Sequence, residues 1–192
     1  MARQRTTEPR KPDDARAHRS IDALKSALLH LIERKPFEQI AIKDITEEAG
    51  LSYPTFFRRF ASKEDLFEHI ARDEVQTLLG LGEAALTTPE KQSGRALCEY
   101  IAPRRKLWTA LLNEGASSAM RREFMRVSKE LAQNRRANPW IPLDLAVPFV
   151  TSGIFEILAW WMRRPDDYPV EHVVKMFNAL IVDVTARPRQ LS

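Results

Sequence analysis

The chain has 192 residues, of which 44% are hydrophobic and 29% charged, with a formal charge of +4. This is an ordinary globular composition with ample apolar material for a core, and the lone cysteine, Cys98, excludes an intrachain disulfide and points to a reducing compartment. No apolar run stands out at the ~18 residues a membrane span needs, and MARQRTTEPRKPDD at the start lacks the apolar segment of a secretory signal, so a soluble cytoplasmic protein with no membrane partner is expected.

The distribution of charge says more than its total. Residues 1–63 hold 13 Lys/Arg against 9 Asp/Glu, a balance of +4, whereas residues 64–192 hold 17 of each. A basic segment followed by a neutral body fits polyanion binding at one end.

Residues 1–14 are polar, basic and proline-containing, and are expected to form a disordered basic arm. The spacing of Ile21, Leu24, Leu28, Leu31 and Ile32 predicts a first helix from about Ala15 to Arg34, stopped by Lys35-Pro36. In the next stretch, IKDITEEAGLSYPTFFRRFASKED (residues 42–65), Ile42, Ile45 and Ala49 recur at helical spacing and leave Lys43, Glu47 and Glu48 outward. Gly50 ends that helix where a positive φ is usually needed. Ser52 is the N-cap type and Pro54 suits a first turn, so a third, short helix follows, with Phe56 and Phe60 inward and Tyr53, Thr55 and Arg58 on other faces. Ser62 then caps a fourth helix with acids in its first turn.

Helix, glycine turn and helix in this order is the layout of a helix-turn-helix DNA reader. Tyr53 and Thr55, at the start of the second of these helices, are expected at base edges, with Pro54 able to read a base only by apolar contact. Lys43, Arg58 and Lys63 flank the same short unit and are expected to meet phosphates. The domain division expected is therefore an arm over 1–14, a helix-turn-helix domain over 15–61 and a C-terminal domain over 62–192.

The fourth helix runs to about Leu86. Thr87-Thr88-Pro89-Glu90 opens a fifth, broken at Ala102-Pro103; Leu107, Trp108, Leu111 and Leu112 mark a sixth; Gly115 precedes a seventh from Ser117 to about Arg136. After Asn138-Pro139-Trp140-Ile141-Pro142 an eighth helix, about Leu143 to Arg163, is apolar on nearly every face and should be buried on every face, which in so small a protein suggests a partner subunit. A ninth carries Val173, Phe177, Leu180, Ile181 and Val184. No stretch alternates as a strand does. The fold class expected is all-α, with about nine helices.

The pattern Ile40-Ala41-Ile42-Lys43-Asp44-Ile45, Ala49-Gly50-Leu51-Ser52, Thr55-Phe56-Phe57-Arg58-Arg59-Phe60 and Ser62-Lys63-Glu64-Asp65-Leu66 resembles the DNA-binding domain of the TetR family of bacterial transcription regulators. The resemblance covers about a quarter of the chain. It implies that Ser52 to Arg59, Phe57 included, lies in the major groove of a palindromic operator in double-stranded DNA. It also implies a homodimer built from the last two helices, here Ile154, Ile157, Leu158, Trp161, Val173, Phe177, Leu180 and Ile181. A small-molecule or protein effector would enter the C-terminal domain, where Trp108, Phe124 and Phe155 are the candidate pocket liners, against the plainer reading that they fill a core. Two positions depart from the family pattern: Ala41 replaces the usual capping Thr or Ser, and Phe57 replaces a Tyr whose hydroxyl reaches phosphate. Both changes remove backbone-positioning contacts.

The function expected is a sequence-specific transcriptional regulator, a repressor released by its effector. An effector-independent DNA-organising protein of the same fold is the alternative. An enzyme is disfavoured, because no nucleophile–base pair, phosphate-cradling glycine loop, HExxH or CxxC occurs. Cys98 reads as a buried small hydrophobe, His18, His30, His69 and His172 show no ligand spacing, and no cofactor or metal is expected. Arg104, Arg105 and Lys106 read as a solvated cluster, with anion recognition as the alternative.

Overall fold

The computed structural model describes residues 12–86, 93–113, 117–133 and 141–186, and they are all-helical apart from turns. The expected boundary signals at Thr87–Glu90, Gly115 and Asn138–Trp140, and the arm as far as Lys11, lie outside the described residues. The chain divides into two compact units, Met1–Leu66 and Phe67–Ser192, with the boundary inside the fourth helix.

In the first unit α1 spans Pro12–Ile32, a 3-10 turn Phe37–Gln39, α2 Ile42–Glu48 and α3 Tyr53–Phe57, and α4 (Lys63–Leu86) begins. The first helix starts three residues before Ala15, with proline at the position where its missing N–H costs nothing. The apolar stripe of α1 is buried as its spacing requires: Leu24, Leu28, Leu31 and Ile32 pack in one core with Phe37, Ile40, Ile45, Phe56 and Phe60. Gly50 has φ +63°, so the turn between α2 and α3 uses the left-handed conformation that its glycine permits. At α4 the Asp65 N–H donates to Ser62 Oγ at 3.1 Å, and the Ala61 N–H donates to the Asp65 carboxylate at 3.0 Å.

The second unit contains the rest of α4 with α5 (Ser93–Ile101), a 3-10 turn Ala102–Arg104, α6 (Arg105–Asn113), α7 (Ser117–Gln133), α8 (Leu143–Met162) and α9 (Val170–Phe177). Beyond α9 the helix continues without interruption through a π segment, Asn178–Val182, into α10, Asp183–Ala186. The core contains Leu97, Ile101, Leu111, Phe155, Leu158, Trp161, Val173 and Phe177. Two glycines let the C-terminal helix approach. A Cβ on Gly94 of α5 would lie 2.5 Å from Asn178 Oδ1, and one on Gly153 of α8 would lie 2.5 Å from Ile181 Cδ1.

Helix α8 corrects two expectations. With 20 residues and an 18-residue window of mean hydropathy 1.5, it is by length and composition alone long and apolar enough to cross a membrane, contrary to the expectation that no apolar run stands out at that length. It is also not buried on every face: Leu145 and Phe149 are about half exposed, while Ile154, Phe155, Leu158 and Trp161 form its inner side. That inner side packs on α6, α7 and the π segment, and Glu156 on the outer side is paired with Arg121 at 3.2 Å.

Candidate nucleic-acid interface

The position of α3 follows from two inward aromatics, Phe56 within the helix and Phe60 just beyond its end. Phe56 is fully buried and Phe60 nearly so, with ring centroids 6.0 Å apart. The opposite side of this short helix is therefore held outward. Tyr53 is 51% exposed and Phe57 47%, large fractions for aromatic side chains, and they pack on each other at 5.1 Å. Pro54, Arg58 and Arg59 are exposed beside them and Thr55 is half-buried.

The polar groups on this face are ordered before any ligand arrives. Ser52 Oγ and Thr55 Oγ1 share a hydrogen bond of 2.8 Å, and Arg58 donates from Nη2 to Thr55 Oγ1 at 2.9 Å. Arg59 Nε donates to Ser20 Oγ on α1 at 3.3 Å. Ser52 occupies the N-cap position but its side chain makes no capping bond to the helix. Pro54 supplies no N–H at the second helical position, the Thr55 N–H goes to the Ser52 carbonyl at 2.9 Å, and the hydroxyl turns to the Thr55 side chain instead. The result is a Ser52–Thr55–Arg58 chain along the exposed face, a link that spacing alone did not disclose.

Lys43 is well exposed and stands 3.7 Å from Glu47. Lys63, expected at a phosphate, is instead turned onto the backbone of its own chain. Its ammonium donates to three carbonyl oxygens, Phe37 at 3.0 Å, Glu38 at 3.2 Å and Ile40 at 2.9 Å, and stands 4.6 Å from the centroid of the Phe37 ring. An ammonium has three N–H donors, so none is left for a phosphate.

Ala41 leaves α2 without a side-chain cap at its N-cap position. Half of a capping box survives: the Ala41 N–H donates to Asp44 Oδ2 at 2.9 Å, and Lys35 Nζ donates to the same oxygen at 2.7 Å. The Lys35 hydrogen bond, then that from Ala41, holds the Asp44 carboxyl below the usual aspartate range. An acid three residues after a cap position is the sequence signal for this. Beyond it, Leu31, Arg34, Lys35, Asp44, Glu47 and Glu48 line an open cleft of ≈ 450 Å³, in which Arg34 pairs with Glu48 at 2.9 Å. Three acids against two bases make this side of α2 a poor surface for DNA.

In the second unit Trp108, Phe124 and Phe155 are all buried, with Phe124 edge-on to Phe155 at 5.9 Å. The indole N–H groups of Trp108 and Trp161 are buried with no acceptor among the described residues. Arg105 is not part of a solvated cluster: it donates from Nη2 to the carbonyls of Trp161 at 3.1 Å and Arg164 at 2.7 Å, and from Nε to Asp166 at 2.9 Å, so it closes the C-terminal end of α8. Cys98 is fully buried, and burial first, then the neighbouring Glu99, pushes its thiol up to about 12. A thiol so protonated is neither a nucleophile nor a redox sensor at neutral pH. Among the described residues no group of His, Cys, Asp or Glu is placed to hold a metal.

The eight residues expected at a subunit interface separate into two sets. Ile154, Leu158, Trp161, Val173, Phe177 and Ile181 are buried within this chain and cannot be presented to a second one. Ile157 is half-buried and Leu180 is 56% exposed. Helical spacing marked both kinds alike, because a core-facing and a partner-facing stripe have the same period.

Residues 24–70 match the family model described as bacterial regulatory proteins, tetR family, and residues 91–183 match one described as a transcriptional regulator C-terminal region. Together the two matches take in most of the chain. No curated protein matches it significantly. Solved structures share the fold at low identity. A TetR transcriptional regulator from Streptococcus agalactiae 2603V is 20% identical, with a TM-score of 0.61 over 88% of this chain and 97% of that one. A TetR-family regulator from Syntrophomonas wolfei is 13% identical, with 0.66 over 94% and 100%. FadR from Thermus thermophilus, a transcriptional repressor in complex with lauroyl-CoA, is 16% identical, with 0.59 over 90% and 98%.

Proposed function

The chain is a member of the tetR family of bacterial regulatory proteins, and from that premise we propose that it is a homodimeric repressor whose grip on a two-fold symmetric operator is released by an effector. The family is one of DNA-binding regulators rather than enzymes. The observation that carries the reading is the outward face of α3, where Tyr53, Pro54 and Phe57 stand exposed beside a pre-ordered Ser52–Thr55–Arg58 chain on a helix locked from behind by Phe56 and Phe60. Apolar and hydroxyl groups at the start of a short helix suit base edges and thymine methyls, and Arg58, Arg59 and Lys43 suit the flanking phosphates.

Dimerisation through the outer side of α8 and the C-terminal helix would cover Leu145, Phe149, Ile157 and Leu180 and set the two reading helices about 34–36 Å apart, one turn of the duplex. The effector would bind in the second unit. The two buried indole N–H donors without acceptors favour a molecule that carries a hydrogen-bond acceptor on an apolar body. Lauroyl-CoA, bound by the Thermus thermophilus relative, and stearoyl-CoA, bound by FadR of Bacillus subtilis, head the panel to be tried. Release follows if the effector prefers a dimer whose reading helices no longer match the groove spacing.

The test is a mobility-shift titration with duplex DNA from upstream of the chain's own gene, at low salt, with and without each acyl-CoA. Retarded complexes with a preferred fragment, dissolved by one effector, are expected. Absence of any complex at low salt would sink the DNA-binding proposal, and a complex that no effector dissolves would favour an effector-independent DNA organiser.

A further inference from the structure

We propose that Lys63 is a positioning residue that clamps the entrance of the reading motif to the first turn of α4, and not a phosphate contact. The inference rests on the DNA-binding reading above and says how its interface is kept in shape. Three carbonyls converge on one ammonium: those of Phe37 and Glu38 in the 3-10 turn, and that of Ile40 directly after it, at 2.9–3.2 Å. The carbonyl end of a helical turn carries partial negative charge, which an ammonium satisfies better than any neutral donor. The Phe37 ring beneath it, 4.6 Å away and itself buried, fixes the ammonium from a further side.

The clamp falls where this chain needs it. The 3-10 turn and Ile40 lead directly into Ala41, which has no side chain able to cap α2. The helix is therefore held at its start by the Asp44 half of a capping box and by whatever fixes the backbone before it. Lys63 fixes that backbone from α4, while Ile45 and Phe56 bury α2 and α3 against the same core. If the segment before Ala41 rotates, α2 and then the outward face of α3 rotate with it. Lys63 thus acts on DNA through the orientation of Tyr53, Thr55 and Arg58.

Two substitutions separate a clamp from a contact. Lys63→Met keeps the stem and removes the donors. Lys63→Arg keeps the charge but presents a planar fork that cannot meet three convergent carbonyls. Duplex binding is measured by fluorescence anisotropy across a salt series, together with amide hydrogen exchange. For a clamp, both variants bind roughly tenfold more weakly, Lys63→Arg keeps the wild-type salt slope, and the amides of residues 39–42 exchange faster in both while those of α1 stay protected. For a phosphate contact, Lys63→Arg binds like wild type, Lys63→Met loses about one unit of salt slope, and exchange at 39–42 is unchanged; that result overturns the proposal, as does wild-type affinity in both variants. If the wild-type chain bound no DNA, the functional reading would fall, while faster exchange at 39–42 in both variants would still support the clamp and unchanged exchange would overturn it.

Discussion

Phe149→Asp tests the proposed dimer, because it changes the outer side of α8 and leaves the inner side alone. Phe149 is 48% exposed in the isolated chain. An aromatic side chain of roughly 200 Å² therefore presents about 100 Å² to a partner. At ~25 cal/mol per Å² this contributes about 2.5 kcal/mol per protomer, and a two-fold axis counts it twice, giving about 5 kcal/mol. Burying an aspartate in place of the ring adds to the loss. Because the comparison is between two forms of one dimer, the entropy of association cancels, and the dimer dissociation constant should rise by about three orders of magnitude or more. Sedimentation equilibrium over a concentration series reads this directly. Wild type should be dimeric throughout and the variant monomeric, with the same helical circular dichroism and a thermal midpoint governed by the monomer alone. A variant that dimerises as tightly as wild type would refute the assignment of this face. A variant that loses its helicity would show that Phe149 belongs to the core of one chain.

Three more predictions concern the reader. Gly50→Ala should destabilise the first unit by about 1–2 kcal/mol, the backbone cost of a left-handed residue with a Cβ; an added Cβ at Gly50 meets nothing within 4 Å, so no steric cost is added. Urea unfolding followed by circular dichroism measures it, and an alanine variant as stable as wild type would contradict the conformational argument. Phe57→Tyr should restore the hydroxyl contact to phosphate and tighten binding about fivefold on every duplex, near 1 kcal/mol, with an unchanged salt slope, since a neutral donor releases no counterion; no gain in anisotropy titrations would mean that Phe57 does not face the backbone. Asp44 titrates below its ordinary value because of Lys35 and then the Ala41 N–H. A lowered folded pKa means that its stabilisation is complete above the unfolded pKa of about 3.9 and is lost as pH falls through the lower folded value. Unfolding midpoints measured against pH should therefore fall less steeply below about pH 4 in Asp44→Asn than in wild type, and parallel profiles would exclude the role.

The reading motif was legible because each of its parts rests on a local rule. Gly50 announced its positive φ, Phe56 and Phe60 announced their inward side by spacing, and Ser62 announced the start of α4. The cations were not legible. Lys63 read as a phosphate contact and Arg105 as part of a solvated cluster, but each is spent on backbone carbonyls at the end of a helical segment. Every residue has a carbonyl, so such a partner leaves no mark in the sequence, whereas an ion pair such as Lys43–Glu47 shows as an i,i+4 spacing. The subunit face failed for a related reason. Ile154 and Leu158 on one side of α8, and Leu145 and Phe149 on the other, are equally apolar, and only the packing of α6 and α7 decides which side the chain covers itself.

The two glycine notches limit how the C-terminal helix can move. Gly94 on α5 and Gly153 on α8 face Asn178 and Ile181, residues about one turn apart in the π segment. Sliding the helix by a single residue, about 1.5 Å, would carry both side chains off the glycines and onto neighbouring positions that have a Cβ. Helix and notches are thus keyed to each other, and any slide or roll of the C-terminal helix against α5 and α8 has first to repack Asn178 and Ile181.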